Sequence, residues 1–177
     1  NGGIRVSCLD FAWFDEAYNG LRGVITKPQA YPPDALDPKV KHYSRMNFNL
    51  AELEANNFDV GALPIMRDAN GHITEGSSYN VFVVDGGSLR TPTKKSALRG
   101  ISRDVVLDLA RGRDIEPRVE DLQPYDILTA HACFFASTSL FMVPVTYADN
   151  HHTRIGEHAH VTRPLVHALY RAVGNAS

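Results

Sequence analysis

The chain has 177 residues, of which 44% are hydrophobic and 21% are charged, and its formal net charge is −2 at pH 7. This length suits one domain with a sizeable hydrophobic core and is short for two complete domains. A nearly neutral chain without a basic run lacks the positive surface that nucleic acids and anionic membranes require. The sequence contains no signal-peptide pattern and no apolar stretch of roughly 20 residues, and its two cysteines form no disulfide framework. We therefore expect a soluble cytoplasmic protein that binds neither nucleic acid nor membrane.

The N-terminal part of the sequence predicts two strands, an irregular loop and a helix. Apolar-rich stretches at 4–14 and 20–26 are typical of strands. Prolines make 27–38 irregular, because each proline removes a backbone donor and restricts the residue before it. A helix is predicted over 43–57. Its apolar residues recur at helical spacing and predict the buried face, which comprises Met46, Leu50 and Leu53.

The middle of the sequence predicts two more strands, the second of them interrupted. They lie at 60–66 and 73–84, and the Asn-Gly pair between them is a strong turn signal. A second turn is predicted at 85–87. Gly76 interrupts the second strand, which indicates a bulge or a close approach of the backbone to another group.

The C-terminal part of the sequence predicts a helix that begins with Ser102 as its N-cap. The apolar face of this helix comprises Val105, Val106, Leu109 and Ala110. A short strand at 117–121, a helical turn at 123–130, a long apolar segment at 131–149 and an amphipathic helix at 161–173 follow. Strands that alternate with a few helices predict the α/β or α+β class.

Three features of the sequence could carry chemistry. Lys41 precedes the first helix, and Glu75 interrupts an apolar strand, where a buried carboxylate requires solvent or a cationic partner. Hydroxyl-bearing turns lie at 100–102 and 137–139, and the first of them opens a helix whose free N–H groups and dipole favour an anion. An amine, a carboxylate and an anion site are the parts that hold pyridoxal phosphate.

Each of these features also has a simpler interpretation. Lys41 fits a solvated charge at the start of a helix, and Glu75 fits a turn cap or an ion pair with an exposed arginine. The turn at 100–102 fits an ordinary N-cap, and the hydroxyls at 137–139 fit groups that satisfy the backbone of a buried loop. The residue types alone leave both interpretations open.

The order and separation of several sequence blocks resemble the class IV, or fold-type IV, pyridoxal-phosphate enzymes. This family includes branched-chain and D-amino-acid aminotransferases and aminodeoxychorismate lyase. The resemblance covers nearly the whole chain, through VKHYSRMNFNLAELEA, GHITEGSSYNVFVVDGGSLRTP, ALRGISRDVVLDLA and FFASTSLFMVPV. It implies a mixed sheet or pseudo-barrel with flanking helices, and it implies pyridoxal 5′-phosphate as the cofactor.

The resemblance also implies roles for individual residues. Lys41 falls on the family's catalytic lysine, which forms the internal aldimine, a Schiff base, and then moves the proton at the substrate alpha carbon. Glu75, 34 residues later, matches the carboxylate that faces the pyridine nitrogen. Leu98 would pack against the cofactor ring, and Ser139 would lie on the substrate side. The remaining cofactor-binding positions are Ser78 in the turn on the substrate side, and Gly100, Ile101, Ser102 and Thr138 around the phosphate.

Some positions depart from the family pattern. Met46 replaces the tyrosine that usually follows the lysine by five positions, Ser102 replaces a threonine, and Phe141 replaces a glutamate that marks many branched-chain members. The whole chain, 1–177, resembles the large cofactor-binding domain, and the family's small N-terminal domain is absent from it. Since the family's active site lies near a subunit interface, the resemblance implies a homodimer.

The resemblance implies an aminotransferase that moves an amino group between a branched-chain or D-amino acid and a 2-oxo acid. The alternative is a lyase of the aminodeoxychorismate type that uses the same lysine. A further alternative is a catalytically silent domain that acts as a scaffold. The histidine-rich segment at 151–160 matches no zinc-ligand spacing, so we expect no metal site.

Overall fold

The computed structural model describes residues 21–85, 87–95, 97–113 and 115–152. The strand predicted at 4–14, the helix predicted at 161–173 and most of the histidine-rich segment lie outside these residues. In the part of the chain that is described, no helix has the length and apolar character needed to cross a membrane.

The described elements form one mixed sheet with helices packed on it. In chain order they are β1 (Leu21–Gln29), α1 (Met46–Phe58), β2 (Leu63–Arg67), β3 (Asn80–Asp85), β4 (Ser88–Thr91), α2 (Ile101–Arg111), β5 (Glu116–Val119), α3 (Pro124–Thr129), β6 (Ala132–Ser137), β7 (Phe141–Ala148) and β8 (His151–His152). The strand order is β2-β1-β7-β6-β3-β4-β5, and β8 pairs with β7. β1 is parallel to β2 and β7, and β4 is parallel to β5, whereas the other neighbours are antiparallel. The mixed sheet confirms the predicted fold class.

The centre of the sheet is buried on both faces. Val81 and Val83 of β3 belong to a core on one face, whereas Phe82 and Val84 belong to a second core that includes the buried side of α2. The rings of Phe82 and Phe134 stack across β3 and β6 with centroids 4.9 Å apart. Strands that are covered on both faces have continuous apolar sequences. This is why the strand containing β3 was predicted, whereas β6 lies in the apolar segment at 131–149 that was not assigned to an element.

Helix α1 buries a different face from the one predicted. Met46, Leu50 and Leu53 are 62%, 47% and 58% exposed, so the predicted buried face is wrong. The buried residues of the helix are Phe48, Ala51 and Ala55, which pack against Val24 of β1, Ala62 and Met66. Small alanine side chains let the helix backbone approach the sheet closely, and the larger apolar side chains are left on the outer side.

Helix α2 begins at Ile101, before the position that a Ser102 N-cap would give. The N-cap is Gly100, and Ser102 lies inside the first turn, so the predicted N-cap is wrong. The buried face comprises Arg103, Val106, Leu107 and Ala110, whereas the predicted Val105 and Leu109 are partly buried. Because glycine has no side chain, the N-cap residue offers no side-chain acceptor to the first N–H groups of the helix.

The turns follow the sequence prediction. Gly71, at the end of the turn after β2, has a φ of 85°, and Gly87, between β3 and β4, has a φ of 82°. Backbone with positive φ is strained for residues that carry a Cβ, and glycine avoids that cost. The predicted helical turn is α3, where Gln123 and Asp126 form a reciprocal capping box.

Candidate functional site

The turn before β3 places Glu75 beside the sheet and keeps it out of the core. Glu75 forms a bridge with Asn80, and the Gly76 N–H donates to the Tyr79 carbonyl at 3.0 Å. The Tyr79 ring lies against the Gly76 backbone so closely that a Cβ at position 76 would overlap it. The Tyr79 hydroxyl donates to the Pro64 carbonyl at 2.8 Å and fixes the ring. The predicted close approach at Gly76 is therefore confirmed, and its partner is an aromatic side chain.

The Glu75 residue is partly exposed, but its carboxyl group is largely desolvated. Its Oε2 accepts a hydrogen bond from the Leu98 N–H at 3.1 Å. Burial raises the pKa of Glu75 from an ordinary 4.5 to about 7, although the Leu98 hydrogen bond and the charges of Arg45, Lys41 and Arg103 act to lower it. Without a further cationic partner, this carboxyl changes its charge near neutral pH.

Lys41 lies in the loop between β1 and α1 and is exposed. Contacts between side chains link the two ends of this loop. The Tyr31 and His42 rings pack edge to face with centroids 6.0 Å apart, and the Tyr31 and Ser44 hydroxyls are 3.4 Å apart. The charge of Lys41 acts on the Glu75 carboxyl. Lys41 therefore lies within electrostatic range of Glu75, the other residue that the sequence indicated as part of a cofactor site.

Arg45 is a neighbour of Glu75 that the sequence did not indicate. It is the N-cap residue of α1, and its Nη2 donates to the Ser77 carbonyl, two residues beyond Glu75. Its guanidinium lies over the Phe48 ring at 4.2 Å from the centroid. Among the cations that act on Glu75, Arg45 contributes the largest effect. A single arginine at the head of a helix forms no sequence pattern that could have indicated this role.

The first turn of α2 lies beside the Glu75 turn because Asn80 connects them. The Asn80 Nδ2 donates to the Leu98 carbonyl at 3.0 Å, and a Cβ on Gly100 would overlap the Asn80 Oδ1. Among the described side chains, none caps the N–H groups of this first turn. Ser102 is half-buried there, and Ile101 is exposed. An uncapped helix start suits a phosphate-sized anion.

The turn between β6 and β7 begins next to Asn80. Asn80 pairs with Ala136 in the register of β3 and β6, so the hydroxyl-bearing turn follows from the same end of the sheet. Within it, the Ser137 hydroxyl accepts the Leu140 N–H at 3.0 Å, as the simpler interpretation of this turn expected. Thr138 and Ser139 are exposed. Their hydroxyls therefore remain candidates for contact with a ligand.

The predicted site residues divide into two groups. The first group lies around Asn80 at the start of β3, and it comprises Glu75, Leu98, Gly100, Ile101 and Ser102. Lys41, Ser78, Thr138 and Ser139 are exposed residues on three separate turns. The backbone of Leu98 makes two hydrogen bonds that the sequence did not indicate. Its N–H donates to the Glu75 carboxylate, and its carbonyl accepts a hydrogen bond from the Asn80 side chain.

Comparison with known proteins gives matches at the level of family and fold. Residues 3–148 match the family model described as "Amino-transferase class IV". The chain is 36% identical over 132 residues to a Methanocaldococcus jannaschii protein named "Putative branched-chain-amino-acid aminotransferase". That match covers 74% of this chain and 46% of the relative.

Two solved structures extend the comparison. The branched-chain amino acid aminotransferase of Escherichia coli has a TM-score of 0.72 at 28% identity, and the match covers 75% of this chain and 44% of that one. The PLP-form of the branched-chain amino acid aminotransferase of Thermobaculum terrenum has a TM-score of 0.84 at 24% identity. That match covers 89% of this chain and 52% of the other chain, and it supports the fold alone. The chain thus spans about half the length of the proteins that it matches.

Proposed function

Because the chain belongs to the class IV aminotransferase family, we propose that it transfers an amino group between an amino acid and a 2-oxo acid with pyridoxal phosphate as cofactor. The names of its relatives favour a branched-chain amino acid as the donor. The observation that carries the proposal is the setting of Glu75. This carboxyl is desolvated and accepts the Leu98 N–H, and three cations, one of them Lys41, act on it.

The residues present fit the cofactor. The pKa of the Glu75 carboxyl is raised to about 7 because the nearby cations do not offset its desolvation. A protonated ring nitrogen would add the positive charge that favours the carboxylate. The uncapped first turn of α2 offers the N–H groups of Ile101 and Ser102 to a phosphate. Lys41 is exposed and within electrostatic range of Glu75, so its amine is open to a carbonyl carbon.

Each of these residues has a separate role in the proposed reaction. When bound, pyridoxal phosphate supplies an electron-withdrawing ring that stabilises negative charge at the substrate alpha carbon. Lys41 would hold the cofactor through Nζ, and its amine, when released from the cofactor, would take and return the proton at the substrate alpha carbon. The Glu75 carboxylate holds the proton on the ring nitrogen, because an opposite charge nearby favours the protonated nitrogen. Ile101, Ser102 and the Thr138 hydroxyl hold the phosphate and orient the ring.

A cofactor titration of the purified chain tests the proposal. We expect a visible absorption band on addition of pyridoxal phosphate, and after borohydride treatment we expect a stable label on the peptide that contains Lys41. Lys41→Ala should lose the band and the label. Lys39→Ala is the matched control, because Lys39 is also exposed and pairs with Asp37 at 3.1 Å. A label on another lysine, or no label in the unchanged chain, would contradict the proposal and favour a silent scaffold.

Product analysis then separates transfer from elimination. Turnover that depends strictly on a 2-oxo acid supports the aminotransferase. Release of pyruvate without an amino acceptor would instead support a lyase of the aminodeoxychorismate type. Both reactions use the same lysine, so the label on Lys41 alone does not distinguish them.

We also propose that residues 1–177 act as a cofactor-binding domain that pairs with a second copy in the cytoplasm. The outer face of α1 supports pairing, because it exposes Met46, Leu50 and Leu53 on one side of the helix. Exposed apolar side chains in a contiguous group are typical of an interaction surface. Light scattering across a concentration series measures the pairing.

A further inference from the structure

We propose that Arg45 is a positioning residue that joins the head of helix α1 to the Glu75 turn and favours the carboxylate form of Glu75. The inference rests on the function proposed above, and it assigns a role to a residue that neither the sequence pattern nor the family match had indicated. Three observations support it: a hydrogen bond that joins the two segments, a charge held in a fixed position, and an effect on Glu75 that is larger than that of the other two cations.

A hydrogen bond of Arg45 connects the segment that contains Lys41 to the turn that contains Glu75. Lys41 is four residues before Arg45, and α1 begins immediately after Arg45. The Arg45 Nη2 donates to the carbonyl of Ser77, which lies two residues after Glu75. One guanidinium therefore fixes the head of the helix to the turn that presents the carboxyl.

The charge of Arg45 has a fixed position. The guanidinium lies over the Phe48 ring at 4.2 Å, and Phe48 is itself buried in a cluster with Ala51 and Met66. A guanidinium held by an aromatic face and a carbonyl loses less freedom on meeting a carboxylate than a free lysine chain does. The charge of Arg45 is thus held at a fixed position beside the turn that contains Glu75.

The other cations act on Glu75 less strongly than Arg45 does. These cations are the ammonium of Lys41 and the guanidinium of Arg103, and the Leu98 N–H also acts on the carboxyl. Arg103 is 1% exposed and donates to the Pro92 carbonyl at 2.8 Å, and its charge has a smaller effect on Glu75 than that of Arg45. Lys41 must be neutral to act as a nucleophile or a base, and a neutral amine no longer favours the carboxylate. Arg45 keeps its charge when Lys41 gives up its own, and it is more accessible than the buried Arg103.

The test measures the protonation of Glu75 directly in the full chain without cofactor. Carboxyl carbons of ¹³C-labelled glutamate are followed by NMR across pH, and Glu75→Gln identifies the signal of Glu75. Arg45→Met should raise the pKa of Glu75 by about 1, because a cation near a carboxylate lowers its pKa by about that amount or more. Arg45→Lys should bring the pKa back toward the unchanged value. Arg111→Met is the control, since Arg111 is an exposed arginine that pairs with Asp108 at the far end of α2.

A second variant separates the charge from the hydrogen bond. Arg45→Gln retains a donor for the Ser77 carbonyl but carries no charge, so we expect the pKa of Glu75 to rise as it does in Arg45→Met. This variant also serves if the methionine variant does not fold. Cofactor affinity should fall about tenfold in both uncharged variants, which corresponds to a change of about 1 in the pKa of Glu75.

Two results would overturn the inference. An unchanged pKa of Glu75 in the uncharged variants would show that Arg45 has a structural role only. A pKa that Arg45→Lys fails to restore would show that charge at this position does not act on Glu75. The NMR measurement needs no cofactor, so it stays informative even if the unchanged chain takes up no pyridoxal phosphate and the proposed function fails.

Discussion

The Leu98 N–H donates a hydrogen bond of 3.1 Å to the Glu75 carboxylate, although the two residues are 23 positions apart in the chain. This bond joins the loop before α2 to the turn before β3, so it ties the candidate anion site to the carboxylate. It stabilises the ionised form of Glu75, but burial outweighs it and the pKa is raised to about 7. The charge at this end of the sheet therefore depends on pH near neutrality.

The stability of the cofactor-free chain should fall as pH rises from about 4.5 to about 7. The folded chain holds a proton on Glu75 up to its raised pKa of about 7, whereas the unfolded chain releases it near the ordinary value of 4.5. Because the unfolded state binds fewer protons in this interval, the free energy of unfolding decreases with pH and then levels off. The Glu75 contribution is at most about 3 kcal/mol. Urea unfolding at pH 5 and pH 8 measures it.

Glu75→Gln is the comparison for this prediction. An amide does not titrate, so the difference in stability between the variant and the unchanged chain should grow in favour of glutamine as pH rises. Equal pH dependence in the two chains would show that Glu75 is ionised in the folded state throughout the interval.

Gly76→Ala should destabilise the chain by about 1–3 kcal/mol, because the added Cβ overlaps the Tyr79 ring. Gly112→Ala is the matched control, since its Cβ would meet only ordinary contacts, the nearest at 3.8 Å to the Leu109 carbonyl oxygen. We expect that control to change stability by less than about 1 kcal/mol. Urea unfolding of both variants gives the comparison.

A double variant identifies the source of the strain at Gly76. If the Tyr79 ring is the obstacle, Gly76→Ala should cost less stability in a Tyr79→Ala background than in the unchanged chain. Additive effects of the two changes would place the strain elsewhere in the turn.

Ser102→Asp should separate helix stability from phosphate binding. A carboxylate in the first turn of α2 interacts favourably with the helix dipole, so the stability of the cofactor-free chain should stay equal or increase slightly. The same charge would repel a phosphate held by the first-turn N–H groups, so the affinity for pyridoxal phosphate should fall about tenfold or more. Ser102→Ala, which removes only a hydroxyl, should cost about fivefold. Unchanged affinity in the aspartate variant would place the phosphate away from α2.

Much of the fold was predictable, because its central strands are buried on both faces. The strand predicted at 73–84 contains β3, and the glycine turns at 71 and 87 have one geometry, whereas the apolar segment at 131–149, which became β6 and β7, was not assigned to strands. The buried face of α1 was not predictable, since Ala51 and Ala55 give a weaker apolar signal than Leu50 and Leu53. Only contact with the sheet shows that close packing selected the small residues.

The candidate site was predictable to a smaller extent. Residue type and position indicated Lys41 and Glu75 as candidates, the family resemblance implied their roles, and those roles remain predictions. Arg45 and Asn80 were missed, because their importance comes from contacts with Ser77, Leu98 and Gly100. Such contacts depend on how distant segments meet, and no local pattern in the sequence encodes them.

Changes on the outer face of α1 should convert a dimer into a monomer without unfolding it. Leu50 and Leu53 are 47% and 58% exposed, so lysine at both positions removes apolar surface while leaving the core intact. We expect the unchanged chain to approach twice its monomer mass with rising concentration and the double variant to stay monomeric. The free energy of unfolding of the monomer should change by less than about 1 kcal/mol, because exposed helix positions tolerate lysine. Light scattering gives the mass, and urea unfolding gives the stability.

Asn56→Lys and Asn57→Lys together form the control for this prediction. Both residues are exposed on the same helix and lack apolar side chains, so the added charge is the same while the apolar face is intact. A dimer that survives in the leucine variant would place the contact on another surface. A dimer lost in both variants would show that added positive charge alone separates the copies, and the apolar face of α1 would then have no special part in pairing.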